Sequence, residues 1–226
     1  MTIQEYKEQM CDIGRRIYNR NMVAANDGNF SVRLEDGTFL CTPTGVSKGF
    51  LTPEMICHVD GEGNMVEENP PYRPTSEFKM HLRVYSDRPD VGGVVHAHPM
   101  YATAFAVCGM ALDKPILPEA VLQFGDKVPL AEYALIGSDE VPESIRNIIP
   151  HYDAVLLENH GALTYSDTLM NAYFKMESLE FYAQVLFNAM QIGKPQSFSN
   201  FEMKRLYAVR RALNMPGKHP ANRTSR

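Results

Sequence analysis

Two short alternating runs near the N-terminus, Phe30 to Leu34 and Thr38 to Thr42, flank the turn Glu35-Asp36-Gly37 and predict a β-hairpin. A purely parallel, doubly wound sheet does not begin with adjacent hairpin strands, so the helix–strand alternation further along must belong to a mixed sheet covered by helices. Residues 2–20 predict an amphipathic helix, with Thr2 as its cap and Ile3, Tyr6, Met10, Ile13 and Ile17 at spacings of three and four. A strand is expected over Met55 to Val59. After a proline-bearing stretch at 67–74, Thr75-Ser76-Glu77 supplies a hydroxyl cap for a helix through Phe78, Leu82 and Tyr85. Asp90 to His98 and Ala154 to Leu157 suit buried strands, with a short helix at Ala102 to Cys108 between them. Thr168 to Ile192 predicts a long helix stopped by Gly193-Lys194-Pro195, and 200–214 a last one, followed by a frayed tail over 215–226. No repeat or linker divides the chain, so one domain over 1–226 is expected.

Composition sets the functional bounds. The 226 residues are 44% hydrophobic, enough for one sizeable core. Twenty-seven acidic residues against twenty-two basic ones leave a net charge of −5, so no basic field is available for nucleic acid or an anionic membrane. Any phosphate must be held locally. The first twenty residues carry seven charges and no signal-peptide core, and no apolar run reaches about 18 residues, which leads to the expectation of a soluble, cytoplasmic protein. Cys11, Cys41, Cys57 and Cys108 lie far apart without a CxxC and are read as reduced thiols.

The sharpest chemical feature is His96-Ala97-His98. Residues i and i+2 of a strand point to the same face, which places two imidazoles side by side. Such a pair alone is often structural. His160 at the end of the other buried strand and Glu77 at a helix start complete a set of three imidazoles and a carboxylate, the donor set of a catalytic Zn²⁺ or similar ion. His58, His81, His151 and His219 lack comparable partners, although His81 lies one helical turn after Glu77. Two segments, Asp27 to Ser31 and Thr42 to Gly49, offer glycines, hydroxyls and Lys48 to an anion, and Thr75-Ser76 adds a third donor set. Each also reads as an ordinary turn or cap, and none is a P-loop.

Gly28-Asn29-Phe30-Ser31-Val32-Arg33, Thr42-Pro43-Thr44-Gly45, Pro74-Thr75-Ser76-Glu77, Val94-Val95-His96-Ala97-His98 and Asn159-His160-Gly161 occur in the order and spacing of the class II aldolase/adducin family. The chain resembles that family over roughly residues 5–195, most closely its L-fuculose-1-phosphate aldolase branch. The resemblance implies a single three-layer α/β/α domain with a mixed, largely antiparallel sheet. It implies a zinc-dependent sugar-phosphate aldolase that cleaves a ketose 1-phosphate into dihydroxyacetone phosphate and an aldehyde, working as a homotetramer with interfacial sites. By motif, His96, His98 and His160 match the zinc histidines, and Glu77 the carboxylate that ligates the ion and acts as acid/base. Gly28, Asn29, Thr44, Gly45, Thr75 and Ser76 match the phosphate positions.

Two departures concern the aldehyde half of the substrate. The family's proton-donating tyrosine is missing from 115–123, and an aromatic wall is missing near Ile136. Glu119 is a candidate replacement, and Tyr207 a candidate to reach a neighbouring subunit's site. The relatives to be weighed are L-ribulose-5-phosphate 4-epimerase, whose pattern has an aspartate absent from Glu119-Ala120-Val121, and methylthioribulose-1-phosphate dehydratase. A tetronate-phosphate decarboxylase carries a lysine where this chain has Ser76. The non-enzymatic alternative, an adducin-like interaction module, lacks the metal site that the histidines here retain.

Overall fold

Alternation along the strands decides which residues meet which layer of helices. In a computed structural model, which describes residues 1–222, seven strands form one sheet. They are β1 (Asn29–Arg33), β2 (Phe39–Cys41), β3 (Cys57–Val59), β4 (Gly93–Ala97), β5 (Leu130–Ala131), β6 (Ala154–Leu157) and β7 (Gly161–Ser166). Their order across the sheet is β3-β2-β1-β4-β7-β6-β5, and every neighbour pair is antiparallel except β5 with β6. The expected hairpin is β1–β2, with Ser31 opposite Cys41.

One face carries Phe30, Val32, Leu40, Val95, Ala97, Leu156 and Ala162 into a core shared with α1 (Ile3–Asn19), α3 (Met100–Val107), α4 (Pro118–Phe124) and α6 (Leu169–Ile192). The other carries Phe39, Cys41, Val94, Val155, Leu163 and Tyr165 onto α2 (Phe78–Asp87) and α5 (Glu140–Ser144). This is the three-layer α/β/α arrangement. On α6, Leu169, Ala172, Tyr173, Met176, Leu179, Ala183 and Leu186 recur every three or four residues and are buried, each large one contributing about 1.5–3 kcal/mol of transfer free energy. The thiols of Cys11, Cys41, Cys57 and Cys108 are all unpaired. Among the described residues, no helix is long and apolar enough to cross a membrane.

Three expectations need correction. The strand expected from Met55 begins only at Cys57, because Pro53–Met55 closes a 3-10 turn. His160 does not end a strand. It sits in the hairpin turn joining β6 to β7, where Leu157 faces Gly161 and Asn159 takes a φ of 55°. The tail expected over 215–226 packs in its described part: His219 is 3% exposed with Nε2 2.7 Å from the Val121 carbonyl, and Arg211 donates to the Ala221 carbonyl. Burial of these polar groups with partners holds the segment down. Residues 223–226 of that expectation lie outside the described residues.

Candidate active site

Asn29 and Ser31 on β1 and His96 on β4 alternate with the core residues Phe30, Val32, Val95 and Ala97, so all three face the α2 side of the sheet. Asn29 is the register partner of His96. Next to them lies the N-terminus of α2, whose cap residue is Glu77 itself. The hydroxyl cap expected there takes a different form. Thr75 Oγ1 accepts from the Glu77 amide at 3.3 Å, and the Glu77 carboxylate makes no capping bond but turns to Asn29 Nδ2 at 2.7 Å.

The three histidines converge. Their ring centroids are 4.6–5.1 Å apart, and one nitrogen from each lies within 4.8 Å of the others, close enough to hold a single metal ion. His96 Nδ1 lies 3.0 Å from the Ala162 carbonyl, which only accepts, so that nitrogen carries the proton and Nε2 presents a lone pair. His98 places Nδ1 3.5 Å from Asp27 Oδ2 and Nε2 3.1 Å from His96 Nε2. Glu77 reaches in with Oε1 3.3 Å from His160 Nε2 and Oε2 3.5 Å from His96 Nε2. Oε1 is buried and has no hydrogen-bond partner. The His96 Nε2 lone pair faces the Glu77 carboxylate, whose Oε1 is unpartnered; these negative ends repel, and a divalent cation between them would remove the repulsion, so the donor set fits such an ion.

Burial, reinforced by His160 and His98, holds the His96 imidazole well below the usual histidine range. Burial also lowers His160, against the pull of Glu77. Neutral imidazoles are what a metal requires. Gly161 is needed beside His160, since a Cβ there would lie 2.6 Å from the Ala97 carbonyl and from His98 Cδ2. At Gly28, φ is +73° and a Cβ would meet Val23 at 2.6 Å, which keeps that turn against the end of β4.

In front of this cluster lies a cavity of about 340 Å³. All six residues expected to receive phosphate line it, Gly28, Asn29, Thr44, Gly45, Thr75 and Ser76, together with Glu77, His98 and His160. His96 lies beneath, fully buried. The loops are held together by backbone bonds from Thr75 N to the Thr42 carbonyl and from Thr44 N to the Arg73 carbonyl. Lys48 is 1% exposed and donates to the Asn26 and Val46 carbonyls at 2.8 and 2.6 Å. Burial pushes its ammonium down to about 8, with Asp27 and Glu77 opposing. Glu119 is exposed in the first turn of α4 and does not line the cavity, and Tyr207 packs edge-on against His219. Ile136, on an exposed loop, does line it. The sequence reading passed over the Asp27–His98 pairing, which depends on how the loop folds back and leaves no local spacing to read.

Fold and cavity together define an enzyme domain of the α/β/α kind with a histidine-rich site at the end of the central strand β4, beside the N-terminus of α2. The class II aldolase and adducin N-terminal domain family matches residues 8–187, and the chain belongs to that family. It is 40% identical to an L-fuculose phosphate aldolase of Methanococcus maripaludis over 174 residues, 76% of this chain and 91% of that one. It is 34% identical to a 3-oxo-tetronate 4-phosphate decarboxylase of Haemophilus influenzae over 211 residues, 91% and 98%. The solved structure of YgbL from Klebsiella pneumoniae covers 91% of this chain and 99% of its own with a TM-score of 0.83 at 30% identity. The protein is thus an enzyme of the class II aldolase family, with lyase activity.

Proposed function

We propose that the protein is a zinc-dependent sugar-phosphate aldolase that reversibly cleaves a ketose 1-phosphate, with L-fuculose 1-phosphate as the leading candidate, into dihydroxyacetone phosphate and an aldehyde such as L-lactaldehyde. The observation that carries this reading is the placement of Glu77 Oε1, buried without a partner, 3.3 Å from His160 and in the same cavity as the Thr44, Gly45 and Ser76 loops. His96, His98 and His160 would hold the ion, with Glu77 as a fourth ligand before substrate enters. When bound, a divalent ion there supplies Lewis-acid stabilisation for negative charge developing on the substrate's oxygens.

The remaining work falls to the chain's own groups. In the condensing direction Glu77 takes a proton from the carbon next to the carbonyl of dihydroxyacetone phosphate. In cleavage, the hydroxyl on the carbon that becomes the aldehyde gives up its proton to solvent as its C=O forms, the carbon–carbon bond breaks with its electron pair left on the dihydroxyacetone phosphate carbon, and Glu77 delivers a proton to that carbon. The hydroxyls of Thr44, Thr75 and Ser76, the open backbone at Gly28 and Gly45, and the N-terminal end of α2 bind the phosphate and orient the fragment. The reading extends to a cytoplasmic protein and to a homotetramer, the latter supported by Phe174, Phe181, Phe187 and Ile192, exposed along α6.

Ser76 stands where the decarboxylase pattern has a lysine, which favours the aldolase over the decarboxylase reading. A panel of ketose 1-phosphates and 3-oxo-tetronate 4-phosphates tests this, with released dihydroxyacetone phosphate and carbon dioxide measured side by side. Dihydroxyacetone phosphate from a ketose 1-phosphate is expected. Carbon dioxide release alone would replace the aldolase reading with the decarboxylase one.

A further inference from the structure

One of the histidines outside the metal cluster, His81, sits on α2 one turn after Glu77 and is completely buried against β1. Its Nε2 lies 2.7 Å from Asn29 Oδ1 and its Nδ1 2.7 Å from Ser31 Oγ, which in turn lies 2.9 Å from the Tyr85 hydroxyl. Asn29 Nδ2 donates to Glu77 Oε2 at 2.7 Å. Four side chains therefore form one unbroken line that ends on the carboxylate.

The charge at that end fixes the direction of every bond in the line. A carboxylate only accepts, so Asn29 must present its amino group to Glu77 and its carbonyl oxygen to His81. The carbonyl oxygen needs a donor, so His81 carries its proton on Nε2, and Nδ1 is left to accept from Ser31. The Ser31 oxygen then accepts from Tyr85. The shape of a carboxamide does not choose between its two flips; the Glu77 carboxylate selects one from its side, and a proton on His81 Nε2 holds the same one from the other. With the proton on Nδ1 instead, Nε2 would face the Asn29 carbonyl lone pair to lone pair, or the amide would turn its carbonyl on the Glu77 carboxylate.

We infer that His81 is a positioning residue of the site: by donating from Nε2 to Asn29 it locks the Asn29 carboxamide with its amino group on Glu77 Oε2, and so leaves Oε1 as the oxygen that exchanges protons. This rests on the reading of Glu77 as the acid/base group. Burial supports it, pushing the His81 imidazolium down to about 4, so that a second proton, which would abolish acceptance from Ser31, is absent at neutral pH. Burial likewise raises the Tyr85 phenol, which keeps its proton. One Asn29 N–H is committed to Glu77, and the other remains for substrate in the cavity that Asn29 lines. Asn29 thus joins phosphate handling to the base, with His81 as the group that orients it.

Two measurements on the full-length, metal-replete protein test this. Nitrogen-15 NMR of the histidine side chains is expected to show His81 as the neutral Nε2–H tautomer between pH 5.5 and 8, and an Nδ1–H tautomer would overturn the inference whatever the reaction is. Solvent-deuterium exchange into dihydroxyacetone phosphate supplies the second. His81→Gln places an amide N–H where Nε2 stood and should retain most of the exchange rate, whereas His81→Asn, which reaches only the Ser31 side, should lose about 10–100-fold in kcat with little change in KM or metal content. Adding His81→Asn to Asn29→Ala should cost little more, because the orienting partner has nothing left to orient. Equal rates in His81→Gln and His81→Asn, or fully additive losses in the double variant, would reduce His81 to packing. A wild-type protein that exchanges no proton would instead end the acid/base reading of Glu77, while the tautomer would still decide the orientation of Asn29.

Discussion

The two ends of the β4–β7 ladder each bury a polar cluster, and the clusters are built on opposite principles. Where Gly93 pairs with Ser166, Asp153 is enclosed, and both its oxygens are taken: Oδ1 accepts from Arg88 at 2.7 Å and from the Lys218 amide at 3.0 Å, Oδ2 from Lys175 at 2.7 Å. Arg88 is spent as well, on both oxygens of Asp90 and on the Ile149 and Tyr152 carbonyls. Where Ala97 pairs with Ala162, the ring nitrogens of His96 and His98 lie 3.1 Å apart and Glu77 Oε1 has no hydrogen-bond partner. Buried charge that is fully answered within the chain holds structure together. Buried donors left unanswered at the edge of a cavity are waiting for something the chain does not supply.

The sharpest way to break this contrast is to take the metal away. Chelation of the purified protein is expected to abolish turnover while leaving it folded, and His98→Ala should lower metal content measured by plasma emission spectroscopy. Activity that survives complete removal of divalent ions would place the histidines in the same class as Asp153.

At the Asp153 end the expectation is reversed. Asp153→Ala leaves Lys175 as a buried charge without its carboxylate and Arg88 with Asp90 alone, and should destabilise the fold by about 3–5 kcal/mol, read by urea denaturation, with metal content per folded chain unchanged. A loss below about 1 kcal/mol would show that this cluster is not the structural one.

Acid should weaken both ends by a smaller amount. Burial depresses His81, near the site, and His219, in the C-terminal segment, from an ordinary 6.5 to about 4. Between those values the unfolded chain takes up protons that the folded chain refuses, so this stability is complete above pH 6.5 and is lost as the pH falls towards 4. Each group should account for about 2 kcal/mol between pH 7 and pH 5, and His219→Gln should lessen the loss by that amount. An unchanged acid slope in that variant would mean that His219 titrates normally.

The same contrast governs what could be read from the sequence. His96-Ala97-His98, the Gly28-Asn29 and Thr44-Gly45 turns and Thr75-Ser76-Glu77 declare themselves through local spacing, as do the amphipathic α1, the hairpin and the long α6. β7 escaped because both of its faces are buried, so Gly161 to Ser166 shows no alternation, and the Thr164 hydroxyl is answered by the Ala172 carbonyl rather than by water. α4, β5 and α5 are short and lie among Pro118, Pro129 and Pro142, which interrupt any period. The line from Tyr85 to Glu77 exists only once α2 packs on β1, across some fifty residues of chain, and no motif spans that distance.

The central claim is that Glu77 moves the proton while the histidines hold the ion. Glu77→Gln keeps the side chain's volume and removes its basicity, so metal occupancy and solvent-deuterium exchange into dihydroxyacetone phosphate should be measured on one sample of this variant. The account predicts a folded protein with metal retained and exchange reduced by about 10²–10⁴-fold. Undiminished exchange in a metal-replete Glu77→Gln protein would contradict it.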